Sequence, residues 1–287
     1  MALSSGRKRG RALSRVAIAA IAAALVGTTA GTASAAPTAP APYFPFMASK
    51  ASGELYEYLP NGAGGFGDRK LVENEWTGIT AAMQTDQDQD GTADHSYIRL
   101  TDGMLFFADT RDETGEKEPV YVGGGWTIYD RLLSPGNLGG TKEPDVLARD
   151  KSGVLWIYQG RADGTLGDRY RVGPGWDMFT HIAGRGDLNG DGRTDILAKD
   201  KAGVLWFYKG TGDPTRPFES RVKVGSGWNI FDTLVSSGDV NGDGRSDMLA
   251  RDTAGVLWLY KGNGNQSDPF ESRVRIGGGW GQYNNFF

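Results

Sequence analysis

The sequence has no cysteine, and only two of its 287 residues are histidine, His95 and His181. Without thiols there can be no disulfide, no cysteine nucleophile and no thiolate metal site. Two isolated histidines, at non-equivalent places in the chain, leave no His-Glu-x-x-His pair and read as ordinary surface or loop residues. No Gly-x-Ser-x-Gly elbow is present either. Positive charge is short as well: 31 Lys and Arg stand against 35 Asp and Glu, a net charge of −4. Nucleic-acid binders are usually basic, so no nucleic-acid partner is expected. Beyond the first 35 residues no run is apolar or long enough to span a membrane, and helical periodicity of useful length is missing. What the chain has in quantity is 44 glycines, 8 tryptophans and acids gathered into short clusters.

The first residues read as a targeting segment. Arg7, Lys8, Arg9, Arg11 and Arg15 form a basic head, Val16 to Val26 a short apolar core, and Ala33-Ser34-Ala35 a small-residue cleavage site. This is the pattern of a secretory signal peptide, and it predicts cleavage after Ala35 and an extracellular protein. No Arg-Arg pair precedes the apolar core, so twin-arginine export is not indicated. Residues 36–42 form a Pro/Ala-rich leader, expected to be a short extended tether, and residues 43–287 carry the fold. Cleavage leaves 252 residues and takes Lys and Arg from 31 to 26 against 35 acids, a net charge of about −9.

Those 252 residues repeat. Gly-x-Leu-aromatic-x-Tyr recurs as Glu54 to Tyr58, Met104 to Ala108, Val154 to Tyr158, Val204 to Tyr208 and Val256 to Tyr260. A later tryptophan falls at 76, 126, 176, 228 and 280, with spacings of 50, 50, 52 and 52. In one unit, Ile196 to Lys199, Val204 to Tyr208, Arg221 to Val224 and Trp228 to Val235 read as four short strands. The second is apolar on both faces, as a strand between two layers is, and the third alternates. Four antiparallel strands per unit of about 50 residues is the signature of a propeller blade, so the fold class is all-β, a five-bladed β-propeller. Tyr43 to Ala48 aligns with the strand that opens a unit, and Trp280 to Phe287 stops part-way through one. The ring is therefore expected to close with strands from both termini, the last blade borrowing one from the N-terminus, which removes exposed sheet edges.

Between the fourth strand of one unit and the first of the next lies a run of acids. Asp187, Asn189, Asp191 and Asp195 occupy positions 1, 3, 5 and 9 of a loop with Gly192 at position 6; the carbonyl of Arg193 at position 7 adds a fifth oxygen. Alternate spacing aims oxygens at one point, a shell suited to calcium, and the nine positions resemble the start of an EF-hand loop. Position 12 is Ala198 rather than Glu and the flanks are strands, so this is a calcium loop set in β-structure. Asp239, Asn241, Asp243, Arg245 and Asp247 repeat it, and Asp86, Asp88, Asp90, Thr92 and Asp94 give a third copy. A fourth, Asn137 to Asp145, keeps only its last acid. About three Ca2+ ions are expected, with the fourth loop retaining shape alone. Calcium would then staple a secreted fold that has no disulfides.

The run Asp187 to Asp200 followed by Gly203-Val204-Leu205-Trp206-Phe207-Tyr208-Lys209-Gly210 resembles the FG-GAP/VCBS-like repeat of secreted bacterial proteins, related to the blades of integrin α-chain propellers. The match is strongest in the last three units; copy one is weaker, and copy two departs in its charged loop at 112–118. The resemblance implies a calcium-stapled propeller used for binding, with metal ligands at positions 1, 3, 5, 7 and 9. It does not carry a ligand over, because the family is defined by its scaffold. Integrin propellers have seven longer blades, so no integrin binding mode follows, and Arg185-Gly186-Asp187 is not an adhesion motif, since its aspartate is position 1 of a metal loop. A non-catalytic, lectin-like module for carbohydrate or cell-envelope ligands is expected, monomeric, with Trp156, Trp206, Trp258, Tyr158, Tyr208 and Tyr260 as candidate stacking residues against a role in blade packing. The alternative is a scaffold for secreted proteins such as proteases, acting through the irregular loops at 112–118, 211–218 and 263–270. An extracellular hydrolase is the third reading; the carboxylates are better explained as calcium ligands than as a glycosidase pair.

Overall fold

The structure is a computed structural model, and it describes residues 41–112, 114 and 116–287. The expected signal peptide, residues 1–35, and residues 36–40 of the expected leader lie outside the described residues. Twenty strands form five four-stranded antiparallel sheets arranged as a five-bladed propeller. Blade 2 contains β4 (Ile79–Thr85), β5 (His95–Leu100), β6 (Leu105–Asp109) and β7 (Val120–Gly123). Blade 3 contains β8 (Tyr129–Gly136), β9 (Asp145–Asp150), β10 (Leu155–Gly160) and β11 (Leu166–Gly173). Blade 4 contains β12 (Phe179–Ala183), β13 (Ile196–Asp200), β14 (Leu205–Tyr208) and β15 (Val222–Gly225). Blade 5 contains β16 (Phe231–Gly238), β17 (Asp247–Asp252), β18 (Leu257–Tyr260) and β19 (Val274–Gly277).

Blade 1 is assembled from both ends. Its strands β1 (Phe46–Ser49), β2 (Leu55–Tyr58) and β3 (Lys70–Glu73) are joined by β20 (Asn285–Phe286), which pairs with β1 through Ala48 and Ser49. Closure by both termini is as the repeat phase predicts, but the count is reversed. The blade comprises three strands from the N-terminus and one from the C-terminus, because each sheet begins with the strand before an acidic loop rather than after it.

The core lies between blades. Five buried clusters each draw on two neighbouring sheets, and the one joining Leu249, Leu257 and Leu259 to Phe46 and Ala48 seals blade 5 to blade 1. The middle strands explain why the second strand of each unit is apolar on both faces. On β14, Leu205 and Phe207 pack toward blade 5, and Trp206 and Tyr208 toward blade 3.

The tryptophan expected to open a strand instead opens a single 3-10 turn: Trp126–Ile128, Trp176–Met178, Trp228–Ile230 and Trp280–Gln282. The glycine before each, such as Gly227 at φ 92°, is in the left-handed region, which turns the chain so that the indole points inward. Each of these indoles meets a tyrosine on the third strand of the blade that follows it, Tyr158, Tyr208, Tyr260 or, at the seam, Tyr58, with ring centroids 4.6–4.9 Å apart. A basic residue on the preceding blade then caps the turn's carbonyls: Arg149 donates to Trp176 and Phe179, Arg99 to Trp126 and Tyr129, Arg251 to Trp280 and Tyr283, and Lys199 to Phe231. These cations staple blade to blade, and the recurrence of three of them in Ala-Arg-Asp and Ala-Lys-Asp was the signal available in the sequence.

Candidate functional site

The acidic loops connect the first and second strands of their sheets, so all of them fall on one end of the ring. The first strands are the inner ones, since β4 meets β8, β8 meets β12 and β12 meets β16 across the ring. The loops therefore surround the mouth of the axial channel. The mouth opens into a cavity of about 530 Å³ lined by parts of all four loops, by Ala41, Pro42 and Phe44, and by Arg185. Blade 1, whose first and second strands β20 and β1 are not consecutive in the chain, has no acidic loop, and residues 41–45 fill that place. Tyr43 N donates to Gly91, Phe44 N to Ser237, and Asp239 N donates to Pro42, while Gln84 Nε2 donates to Pro45. The leader therefore ends at residue 40 or earlier, and Ala41 and Pro42 belong to the ring.

Within each intact loop, acids organise the turn through its own N–H groups. In the loop at 187–195, Asp187 accepts from Gly190 and Gly192 at 2.7 and 2.6 Å, Asn189 from Asp191 at 2.9 Å, and Asp191 from Arg193 at 3.0 Å. The loop at 239–247 repeats this: Asp239 accepts from Gly242 and Gly244, Asn241 from Asp243, and Asp243 from Arg245. Carboxylate oxygens of Asp187, Asp191 and Asp195 come within 4.8 Å of one another, as do those of Asp86, Asp88 and Asp90. Three hard oxygen donors converging at that spacing fit a divalent cation such as calcium. At 239–247 the side-chain amide of Asn241 instead donates to Asp243 at 2.8 Å, and the acids do not gather as a triplet.

Position 9 does something different from the other ligand positions. Asp195 and Asp247 are fully buried, and each accepts from the N–H of position 2 and from a glycine on the next hairpin, Gly210 or Gly262. Gly210 has no room for a side chain, as a Cβ there would lie 2.0 Å from the Thr194 carbonyl. Burial, reinforced by the neighbouring loop acids, pushes Asp195 and Asp247 up to about 7. Asp86 is pushed up to about 6 for the same reasons. Asp145, in the relic, is equally buried and accepts from Leu138, Gly139 and Gly160.

The loop at 86–94 is out of phase with the rest. Ser96 pairs with Ala108 where Ile196 pairs with Tyr208, so His95, not Asp94, occupies the place of Asp195. Asp94 still accepts from Gln87 and Asp88, but its backbone carbonyl, not its carboxylate, receives the Thr110 N–H. Arg111 enters the acids, 2.8 Å from Asp88, 3.1 Å from Asp94 and 3.7 Å from Asp90, whereas the loop at 187–195 meets a single cation on one acid, Lys209 3.1 Å from Asp191. Thr92 N–H donates to Asp90. The shift was legible only by counting, since Trp76 precedes Asp86 by ten residues while Trp176 precedes Asp187 by eleven.

The six candidate stacking residues lie between blades. Tyr158, Tyr208 and Tyr260 pack on Trp126, Trp176 and Trp228. Trp156, Trp206 and Trp258 are half-buried, and each donates its indole N–H to an aspartate at 2.8–2.9 Å: Asp150, Asp200 or Asp252. Arg169, Arg221 and Arg273 lie over these three indoles at 4.2–4.4 Å. The loops at 211–218 and 263–270 are less irregular than their sequences suggest. In both, a bridge to Phe218 or Phe270 closes the loop, and that phenylalanine packs on Tyr208 or Tyr260. The loop at 112–118 includes two residues outside the described set. His181 Nε2 lies 2.7 Å from the Asp232 carbonyl, and His95 stacks on Phe107.

A family model described as FG-GAP-like repeat matches residues 140–198 and 187–250. Residues 140–250 carry two FG-GAP-like repeats. The two matched stretches run from the relic loop through blade 4 into blade 5, and so include the loops at 187–195 and 239–247 whose geometry is described above. No curated protein sequence matches the chain. Among solved structures it is similar to Prp20p from Saccharomyces cerevisiae, at 12% identity and a TM-score of 0.39, covering 81% of this chain and 61% of that one. It is also similar to the BP39L lectin from Burkholderia pseudomallei, at 15% identity and a TM-score of 0.49, covering 84% and 71%. A protein of unknown function from Bacteroides caccae matches at 9% identity and a TM-score of 0.40, covering 82% and 73%. This chain thus spans less than two thirds of the length of Prp20p. Among the described residues no helix is long and apolar enough to cross a membrane.

Proposed function

We propose that this FG-GAP-like propeller is a secreted, non-catalytic binding module, stapled by calcium at its acidic loops, that takes a carbohydrate or cell-envelope ligand at the loop end of its ring. The observation that carries this reading is convergence. Loops from blades 2 to 5, with the N-terminal segment at blade 1, surround a cavity of about 530 Å³, within the range of small-ligand sites. Calcium would be held by Asp187, Asn189, Asp191 and Asp195 with the Arg193 carbonyl, and by Asp239, Asn241, Asp243 and Asp247 with the Arg245 carbonyl. At 86–94 Arg111 competes for the same acids, and at 187–195 Lys209 competes for Asp191, so the ion would displace these cations on binding. When bound, the ion supplies charge neutralisation and rigidity; the protein's own residues supply the shape of the mouth.

The indoles between blades are poorer candidates for sugar stacking than the mouth, because each carries an arginine over its ring and rests its other surface on the core. The loops at 211–218 and 263–270, folded alike, offer little to distinguish one protein partner from another. The test is binding of the secreted chain to an array of bacterial, fungal and plant glycans, in calcium and in EDTA. Saturable, calcium-dependent binding to one glycan class supports the reading. A blank array from protein shown to be folded in calcium sinks the sugar ligand and directs the search to protein partners.

A further inference from the structure

At the floor of the cavity lies a cation with no counter-ion. Arg185 is 7% exposed, and no carboxylate among the described residues lies within ion-pair distance of it. Its side chain reaches from blade 4 across the axis. Nη1 donates to the Gln84 carbonyl of blade 2 at 3.0 Å, Nε donates to the Ser236 carbonyl of blade 5 at 3.3 Å, and the guanidinium lies 4.1 Å from the centre of the Phe44 ring. Two carbonyls and a ring face satisfy part of the group. Nη2 has no protein acceptor among the described residues, although a guanidinium carries five N–H donors. Burial pulls Arg185 down to about 9, against which the more distant Asp86 acts only in part. An uncompensated buried charge is among the costlier features a fold can keep.

The residues next to those two carbonyls add a second observation. Thr85 and Ser237 are the residues equivalent to Arg185 in blades 2 and 5, nine positions beyond their tryptophans. Both are 1% exposed, and neither Thr85 Oγ1 nor Ser237 Oγ has a hydrogen-bond partner. Thr85 lines the same cavity as Arg185. Buried hydroxyls are normally paired, so an unpaired hydroxyl and a partly satisfied guanidinium lining one cavity call for an acceptor that the protein does not itself supply. The acids at the mouth are engaged elsewhere, Asp86 accepting from Asp90 and Gly91, and Asp187 from its own loop.

We propose that the channel floor is an oxyanion site, in which Arg185 and the Thr85 hydroxyl hold a carboxylate or sulfate group that enters from the loop end. Planar guanidinium donors match such groups two oxygens at a time. The inference deepens the binding role proposed above, on which it rests for its biological meaning, by naming the ligand's charge: an acidic saccharide is favoured over a neutral one. The site itself needs no calcium ligand among its contacts.

The test is calorimetric titration of the secreted chain in calcium with sulfate, glucuronate and glucose, for the native protein, Thr85→Val and Arg185→Gln. Sulfate and glucuronate are expected to bind one to one and compete with each other, with glucose silent. Thr85→Val should weaken both about two- to tenfold, the worth of one hydrogen bond, and Arg185→Gln at least about tenfold. Should Arg185→Gln fail to fold, Thr85→Val, which removes only an unpaired hydroxyl, carries the test alone. Folded native protein that binds neither anion overturns the proposal, as does binding unchanged in Thr85→Val and, where it folds, in Arg185→Gln, because the anion then sits elsewhere. A blank glycan array with sulfate bound would remove the sugar reading and leave the oxyanion site standing.

Discussion

In the loop at 187–195 three carboxylates gather within 4.8 Å, whereas the loop at 137–145 carries Asn137, Thr141 and Asp145 at the same positions, one acid in place of three. The backbones nevertheless agree. Position 4 is left-handed in both, Gly190 at φ 82° and Gly140 at φ 76°, position 2 is a buried leucine, and position 9 receives the same backbone N–H groups from its own loop and from the next hairpin. The relic separates two jobs that the intact motif combines. Position 9 and the apolar position 2 build the loop and tie it to the hairpin; positions 1, 3 and 5 are the ones left for the proposed cation. A sequence pattern of alternating acids treats all of them as ligands, although one of them is primarily a hub for buried N–H groups.

The largest effect should come from breaking the hub. Asp145→Ala leaves three backbone N–H groups without an acceptor in a buried place, at about 1–3 kcal/mol each. Partial relaxation should bring the total to about 3–5 kcal/mol, measured by urea unfolding. Asp195→Ala in EDTA should cost a similar amount, since the hub role is shared. A much smaller loss at Asp145 would break the comparison and make position 9 a ligand before it is a structural residue.

The next effect is electrostatic and needs the intact loops. Without metal, Asp195 and Asp247 stay protonated in the fold up to about pH 7, and Asp86 up to about 6, but ionise near 4 when unfolded. The folded state then binds more protons between those limits, so stability in EDTA should fall as pH rises from about 4 to about 7. His181, pulled down to about 4 by burial, acts in the opposite sense over about pH 4 to 6.5, but it is one group against three. In saturating calcium the carboxylates are held ionised and the slope should reverse. At neutral pH the two curves should stand apart by roughly 2.7 kcal/mol per site filled at a hundred times its dissociation constant. Thermal unfolding in both conditions across this range reads the difference; parallel curves would show that the acids do not meet a cation.

How far the sequence alone could go follows from the same division of labour. Blade number, strand count and closure by both termini were legible because they rest on repeated tryptophans, glycines and a period that any blade must keep. The acid triplet at 187–195 was legible because alternate spacing has one geometric consequence. The phase shift at 86–94 was legible only in the distance to Trp76, because the motif itself is internally intact. Arg111 and Arg185 were not, because each acts on residues remote in the chain: Arg185 bonds Gln84 and Ser236, which topology alone brings to the axis. The strand expected at Trp228 became a 3-10 turn because the glycine before it is left-handed, a choice that local propensity does not reveal.

The smallest effect is the most discriminating, because it adds a function instead of removing one. If positions 1 and 5 are all that the relic lacks, Asn137→Asp with Thr141→Asp should install a weak calcium site. Position 3 is best left alone: a Cβ on Gly139 would stand 3.0 Å from Gln159 and 3.2 Å from Asp145, too close for a further acid. Lys142 at position 6 puts a positive charge in the loop where the intact copies have glycine, which works against binding, so Lys142→Gly belongs in the same variant. With only two new acids and Asp145, the site should be weaker than the one at 187–195 by one ligand, and the expected gain in stability in millimolar calcium is about 1 kcal/mol or less. Stability in EDTA should change little, because the hub at Asp145 is untouched. Titration calorimetry with calcium, beside urea unfolding in EDTA, checks both parts: one added site per chain sharpens the division between scaffold and ligand positions, and no added site would show that the phase and packing of a loop decide metal binding as firmly as its acids do.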